Sequence, residues 1–329
     1  MKLRVLIVTD HTTHSETNSM YALARALRSD NRCDTIWVCS RGIPQNEAFF
    51  RGDSGANLYG TRVEDDFAFH PTGDIFLRSS REITRREFDG ILVRMPQPVD
   101  SHFLKSLEGM VPAARIINSP DGIIETATKK FLLTLPQFCP TPKLIHNVQE
   151  ALALSHLYEI VLKPLYSYGG RGIVRLSTDW IWKEDLRFPL DQMEEVCSEE
   201  DFPMLSMRFL KNVVQGDKRT IVVNRRILGS ALRFPAAGSW MCNVAQGGHA
   251  VLSAADEEEL RMEALLTPML YEKGVVMYGF DTLVDDDGRR VLSEINTLSI
   301  GGLVPLQELS AKPLVMHAAE LILEHLISA

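Results

Sequence analysis

Two carboxylates and an amide in the stretch GFDTLVDDDGRRVLSEIN, from Gly279 to Asn296, carry the first chemical signal in the chain. Asp287-Gly288 is a two-residue hairpin turn signal with strand-forming residues on both sides. That turn predicts that Arg289 faces Asp286 and that, further out, Glu294 faces Asp281. Opposed residues share a face of the hairpin, and the period-two alternation of a strand brings Asn296 to that face as well. Like charges directly opposite each other destabilise an antiparallel pair. A solvated polar face would tolerate them, but the neighbours Phe280, Leu283, Leu292 and Ile295 are core-forming types. A cation reconciles the two carboxylates. Oxygen-only donors suit a hard ion such as Mg²⁺, which takes one or two carboxylates and completes its shell with water and phosphates. The group to look for elsewhere is a nucleotide.

Two further segments have phosphate chemistry. YSYGGRGIV, which contains Gly169, Gly170 and Gly172, follows the strand EIVLKPL and precedes the β-branched run GIVRLS. The glycines therefore sit between two strands, whereas a P-loop or a Rossmann turn opens a helix. One reading is an ordinary turn; the other is a glycine hairpin folded over a triphosphate and offering its backbone N–H groups. Lys163, just before this loop, is placed to meet a phosphate as a point charge. In GDKRTIVV, alternation puts Asp217 and Arg219 on one face and Lys218 and Thr220 on the other. Arg219 and Arg233 then either point into the cleft of the carboxylate hairpin or form a surface salt-bridge lattice, which would contribute little.

The elements that must position these residues alternate along the first third of the chain. LRVLIVT is a buried strand and SETNSMYALARALRS an amphipathic helix with Ser15 or Thr17 as its cap. DTIWVCS, FDGILVRMP and ARIINSP supply three more strands, with the DSHFLKSLEGM helix before the last. Alternating strands and helices predict a parallel sheet, which binds ligands at the carboxyl ends of its strands. Arg94 and the loop DHTTHSETNS lie at those ends. His11 and His14 in that loop lack a third ligand, so a metal site there is disfavoured, and the loop has no dinucleotide fingerprint. From Asp121 onward the pattern changes. DGIIETATKKFLLTLP reads as a helix ending near Pro136, VQEALALSHL and SAADEEELRMEALLTPMLYEKG as further helices, and no repeat or long linker interrupts them. Pattern changes place boundaries near residues 124 and 205, giving domains 1–124, 125–205 and 206–329.

With 329 residues, 45% hydrophobic and 24% charged, the composition is that of a globular protein of two or three domains. A net charge of -8 argues against a broad nucleic-acid footprint. The start MKLRVLIVTD reads as a strand and not as a signal peptide, and no apolar run approaches membrane-spanning length. Five cysteines without a CxxC pair fit reduced thiols and a cytoplasmic location.

In this order the segments resemble the prokaryotic glutathione synthetases of the ATP-grasp superfamily, from Met1 to about Asn296. The likeness is carried by ILVRMPQPVD, INSPDGIIETATKK, VLKPLYSYGGRGIVRL, GDKRTIVVN, NVAQGG and YGFDTLVDDDGRRVLSEIN. It implies an α/β (α+β) fold in three parts: an N-terminal Rossmann-like parallel-sheet domain, a central lid and a C-terminal ATP-grasp domain, with ATP clamped between two sheets. Carried over by position, Lys129 and Lys163 contact ATP phosphates, and the loop of Gly169, Gly170 and Gly172 covers them. Arg208, Phe209 and Leu210 offer backbone contacts to adenine, and Asp217 lies near the ribose. Asp281, Glu294 and Asn296 hold Mg²⁺ or Mn²⁺. Arg219, Arg233 and Asn243 surround the transferred phosphoryl group, while Arg94 and Thr17, Asn18 and Ser19 hold a peptide substrate. The likeness also implies small-molecule peptide and amino-acid substrates and a homo-oligomer, with neither nucleic acid nor membrane as partner. The chain departs from the family in TLSIGGLVPLQELSAKP, after Asn296, and from Trp180 to Glu200.

The chemistry implied is ATP-dependent carboxylate–amine ligation through an acylphosphate, with γ-glutamylcysteine and glycine as the family's own substrates. Phosphoryl transfer needs positioning and charge neutralisation more than a protein nucleophile. The alternatives are a ligase of the same class acting on other peptides or amino acids, a non-catalytic nucleotide-binding homologue, and a metal-free structural α/β protein, which would leave the opposed carboxylates without a purpose.

Overall fold

The computed structural model describes residues 2–184, 186–236, 238–242 and 248–329. Three sheets follow one another along the chain. In the first, Leu3–Thr9 lies between Cys33–Ser40 and Gly90–Arg94, all parallel, with Ile116–Ile117 parallel beyond. Leu3–Thr9 is apolar toward both faces, as befits a strand covered on both sides. Leu58–Arg62 and Arg81–Ile83 extend this sheet antiparallel at the far edge, an addition that the strand–helix alternation does not predict. The first helix is Ser19–Ser29, and its cap is Asn18, whose Oδ1 accepts from Met20 N at 3.0 Å. Ser15 and Thr17, the expected caps, instead pair with each other in the preceding turn.

The second sheet spans Lys143–Ile145 to Met204–Arg208. Its Ile160–Pro164 strand pairs antiparallel with Val174–Leu176, so the glycine segment does join two strands. Gly169, Gly170 and Gly172 all have φ between 65° and 77°, where a side chain would strain the backbone. The expected single helix up to Pro136 is two pieces, Pro120–Thr126 and a 3-10 turn Lys129–Thr134. Thr126 turns its hydroxyl back to Gly122 O, and Thr128 starts the new turn by accepting from Lys130 N. This break leaves Lys129 N free to bond Leu165 O at 3.0 Å, which brings Lys129 beside the glycine loop.

The third sheet runs in the order His249–Ser253, Arg226–Phe234, Asp217–Val223, Met277–Val284, Arg290–Asn296. Its hairpin pairs Asp281 with Glu294 and Gly279 with Asn296, as expected, but by another route. The turn is not the two-residue Asp287-Gly288 form. Asp285 N bonds Arg289 O at 2.8 Å, the Asp285 carboxylate accepts from Asp287 N and Arg289 N, and Gly288 takes φ 85°. That is a longer loop closed by a left-handed glycine. It shifts the pairing by one residue, so that Val284 faces Arg290 and the expected Arg289–Asp286 pair does not form. A bulge between Asp281 and Thr282 on one strand and Glu294 and Leu292 on the other absorbs Ser293 and restores the register.

Behind this sheet Lys218 donates to Glu259 at 2.6 Å, and Thr282 Oγ1 donates to the other Glu259 oxygen. Glu259 is also the reciprocal partner of Asp256 in the capping box of helix Glu257–Glu272. The terminal helix Leu314–Ser328 returns to the first sheet, and one core joins its Leu321 and Ile322 to Val5, Leu23 and Ile221. Among the described residues no helix is long and apolar enough to cross a membrane.

Candidate active site

The second and third sheets face each other across a cleft of about 330 Å³. One half of its wall is apolar: Val161, Ile173, Leu210, Trp240 and Leu283 line it. The other half carries Lys163, Asp217, Arg219, Arg233, Asp281 and Glu294. An amphiphilic ligand with an apolar plane at one end and a dense negative charge at the other matches both halves.

The charged half is built by strand parity. Asp217 and Arg219 face the cleft from one strand, Arg233 stands opposite Asp217 on the next, and Asp281 stands opposite Arg219 on the third. The guanidinium of Arg219 holds Asp281 in a fork, Nε at 2.8 Å and Nη2 at 2.6 Å. Arg233 forks Asp217 at 2.6 Å through both nitrogens and also reaches Asp281 at 2.9 Å. Burial pushes Asp281 up, but the two guanidiniums outweigh it and hold its carboxyl well below the ordinary range. Burial prevails at Asp217, pushed up to about 6 against the pull of Arg233. Arg233 is raised because the two carboxylates outweigh its own desolvation. The arginines therefore face the cleft and do not form an exposed lattice.

The opposed carboxylates are each compensated by protein cations. Asp281 has its two arginines, and Glu294 lies 3.6 Å from the Lys129 ammonium. A bound metal is thus not the sole means of reconciling the two carboxylates. The donors nevertheless fit one. Glu294 and Asn296 both line the cleft, and three bonds to Asp281 leave one of its four lone-pair positions open. The Asn296 amide nitrogen is buried without a partner among the described residues, and half a turn of that amide presents its oxygen instead. No group of three or more His, Cys, Asp or Glu poised for a metal occurs among the described residues. His14 is held by Thr9 and Tyr21, and burial pushes it down to about 4.

Lys163 donates to Ser293 O at 3.0 Å, the carbonyl that the bulge exposes, and burial lowers its pKa. Lys129 bonds the Ser167 carbonyl and, at 3.3 Å, its hydroxyl, so it props the glycine loop. Gly169, Gly170, Arg208, Phe209 and Leu210 line the cleft, whereas Gly172 sits behind it against Pro164. Arg94 and Ser19 do not line it. Arg94 is 3% exposed, donates to Ser19 Oγ at 3.0 Å and Ile300 O at 2.7 Å, and leaves its Nε without a partner. Asn18 is occupied as a helix cap and Thr17 lies on the surface. Asn243 lies outside the described residues.

Several lining residues escape a reading of motifs. Val161 and Leu283 follow by strand parity from Lys163 and Asp281, so alternation could have found them. Ser299, Gly301 and Trp240 come from irregular backbone, where no periodicity exists to read. Nor is there a sequence signal for Asn118, which receives Val276 N and Met277 N at 2.7 and 2.8 Å and donates to Met277 O and Thr297 O. That one amide ties the first domain to both inner ends of the hairpin.

The family model described as the prokaryotic glutathione synthetase ATP-grasp domain matches residues 128–311, more than half of the chain and the whole of this cleft. The chain belongs to the prokaryotic glutathione synthetase family. It is 31% identical over 239 residues to a glutathione synthetase of Prochlorococcus marinus (strain MIT 9313), covering 71% of this chain and 74% of that one. It is 29% identical over 325 residues to a glutathione synthetase of Parasynechococcus marenigrum (strain WH8102), covering 97% and 98%. Its fold matches that of the ATP-grasp ligase PsnB, solved with a minimal precursor, Mg and ADP, at a TM-score of 0.59 and 12% identity over 98% of each chain. As a glutathione synthetase family member with the three-part ATP-grasp architecture, the protein is an ATP-dependent carboxylate–amine ligase.

Proposed function

We propose that this ligase joins γ-glutamylcysteine to glycine, with ATP bound in the cleft and Mg²⁺ at Glu294, Asn296 and the open lone pair of Asp281. The carrying observation is the cleft's division into an apolar half and a charged half whose balance suits a nucleotide. The lining residues Lys163, Arg208, Arg219 and Arg233 against Asp217, Asp281 and Glu294 leave one positive charge. A divalent ion raises that to three, which a triphosphate of about four negative charges complements. Held by Glu294, Asn296 and Asp281, the metal would neutralise phosphate charge. Oxygen-only donors suit Mg²⁺ and Mn²⁺ alike.

The chain's own residues then have distinct tasks. Lys163, fixed by the Ser293 carbonyl, and Lys129, fixed under the glycine loop, hold phosphates. Arg219 and Arg233 are preorganised by Asp281 and Asp217, so they face the transferred phosphoryl group without reorganising during the reaction. The substrate carboxylate takes that group, the amine attacks the acylphosphate, and phosphate leaves. Arg94 is better placed to anchor the loop after Asn296, through the Ile300 carbonyl, than to touch substrate in this state. Asp217, with two of its four lone-pair positions taken by Arg233, keeps acceptor positions for a ribose hydroxyl. We assign residues 1–124, 125–205 and 206–329 to the three domains, the last lending its terminal helix to the first. By family likeness we assign the protein a cytoplasmic location and a homo-oligomeric state.

The test is phosphate release with Mg-ATP across amino acids and short γ-glutamyl peptides. Release only with γ-glutamylcysteine plus glycine is expected. Release with a different acid or amine would retain the ligase and reassign its substrates, which the divergent loop Thr297–Gly302 makes the alternative to check.

A further inference from the structure

We propose that Trp240 is a nucleobase contact of this protein, forming one wall of the apolar half of the cleft and setting nucleotide affinity. This rests on the assignment of ATP to the cleft and deepens it. The indole lines the cleft while remaining only partly buried, so a large apolar surface faces an open concave site. Its position is fixed from two directions. The ring meets Phe209 edge to face, with centroids 5.9 Å apart and planes at 75°. The following residues Met241 and Cys242 are buried, and Cys242 Sγ reaches Val213 O at 3.3 Å.

Phe209 is itself clamped. The Arg175 guanidinium lies 3.7 Å over its ring and is held by Glu159 at 2.6 Å, while Glu159 O accepts from Phe209 N at 2.8 Å. The stack continues outward, with Arg175 at 4.3 Å over Trp182 and Arg187 at 3.5 Å over Trp180. Alternating cations and aromatic faces attract through the ring quadrupole. The Phe209 wall is therefore braced through the lid to its outer surface, and Trp240 packs against a surface that does not yield. Stacking on an aromatic face is tolerant of base identity, because every base has a π-face. Trp240 thus supplies affinity for a purine, while discrimination among purines falls to the backbone of residues 208–210.

The experiment combines calorimetric titration with Mg-ADP, steady-state kinetics and intrinsic fluorescence. Trp240→Ala should raise the Kd for ADP and the KM for ATP about tenfold, with a smaller change in kcat and none in the KM of the acid substrate. Trp240→Phe should recover most of the affinity. It should also abolish the fluorescence change that ADP produces in the wild-type protein, since Trp37, Trp180 and Trp182 line no part of the cleft. Should Trp240→Ala fail to fold, Trp240→Phe still carries the fluorescence arm. An unchanged Kd in Trp240→Ala, an ADP response that survives in Trp240→Phe, or a rise confined to the KM of the acid would each overturn the inference. If the wild-type protein binds no ADP, the nucleotide assignment fails first and this inference falls with it.

Discussion

At the scale of single residues, Asp281 and Glu294 look equivalent in sequence and are not equivalent in the fold. Asp281 is 2% exposed and holds two arginines, whereas Glu294 is partly open and has one lysine at 3.6 Å. Asp281→Asn leaves Arg219 and Arg233 facing a neutral amide. Removing one partner of a buried ion pair typically costs about 3–5 kcal/mol. Glu294→Gln should change stability by less than about 1 kcal/mol, the scale of a partly exposed pair. Both should lose ATP-dependent turnover, because each removes an oxygen anion from the metal and phosphate region. Urea unfolding in EDTA, set beside turnover in excess Mg²⁺, separates the two effects. Equal destabilisation by the two substitutions would contradict the division of labour drawn here.

At the scale of elements, the strand Asp217–Val223 serves two sites through its two faces. Its front presents Asp217 and Arg219 to the cleft, and its back buries Lys218 against Glu259 of helix Glu257–Glu272. Glu259 is fully buried. Glu259→Gln should therefore destabilise by about 3 kcal/mol, because it leaves Lys218 only the more exposed Asp256 carboxylate at 3.3 Å, while KM for ATP stays within twofold. Replacing both residues by well-packed apolar side chains should recover most of that loss. Thermal or urea unfolding of the single and double variants checks both statements. A large rise in KM for ATP in Glu259→Gln would mean that the back face governs the cleft. The hairpin gives the complementary lesson. Alternation on each strand was readable, but the turn was misjudged, and the two errors in register cancelled only because Ser293 bulges.

At the scale of the whole molecule, the cleft exists because two sheets consecutive in the chain are held face to face, and nucleotide should add to that hold. Mg-ADP at about 100 times its dissociation constant should stabilise the protein by roughly 2.7 kcal/mol, read as a rise in Tm that EDTA largely removes. An unmoved transition would refute nucleotide binding in the cleft. The same scale explains the anchors. Asn118 and Arg94, from the first domain, hold Thr297 and Ile300 just beyond Asn296, and Thr126 pairs with the Thr297 hydroxyl at 2.9 Å. The INSPDGI segment thus carries family likeness for a physical reason, since its asparagine sets the path of the chain that leaves the metal-binding strand.

The sequence by itself determined what depends on neighbours along the chain. Strand alternation put Asp217 with Arg219 and Asp281 with Glu294 on shared faces, and glycines between two strands marked a loop that needs left-handed backbone. Those patterns, in their order, were enough for the fold class and the type of reaction. Only the tertiary structure decided how the charges are satisfied. Pairing of Asp281 with Arg219 and Arg233, burial of Arg94 beneath the loop after Asn296 where a substrate contact was expected, and the arrival of Trp240 beside Phe209 all join residues from separate strands and loops. Local propensity has no term for such contacts, because their energy arises from desolvation and approach across sheets that only folding brings together.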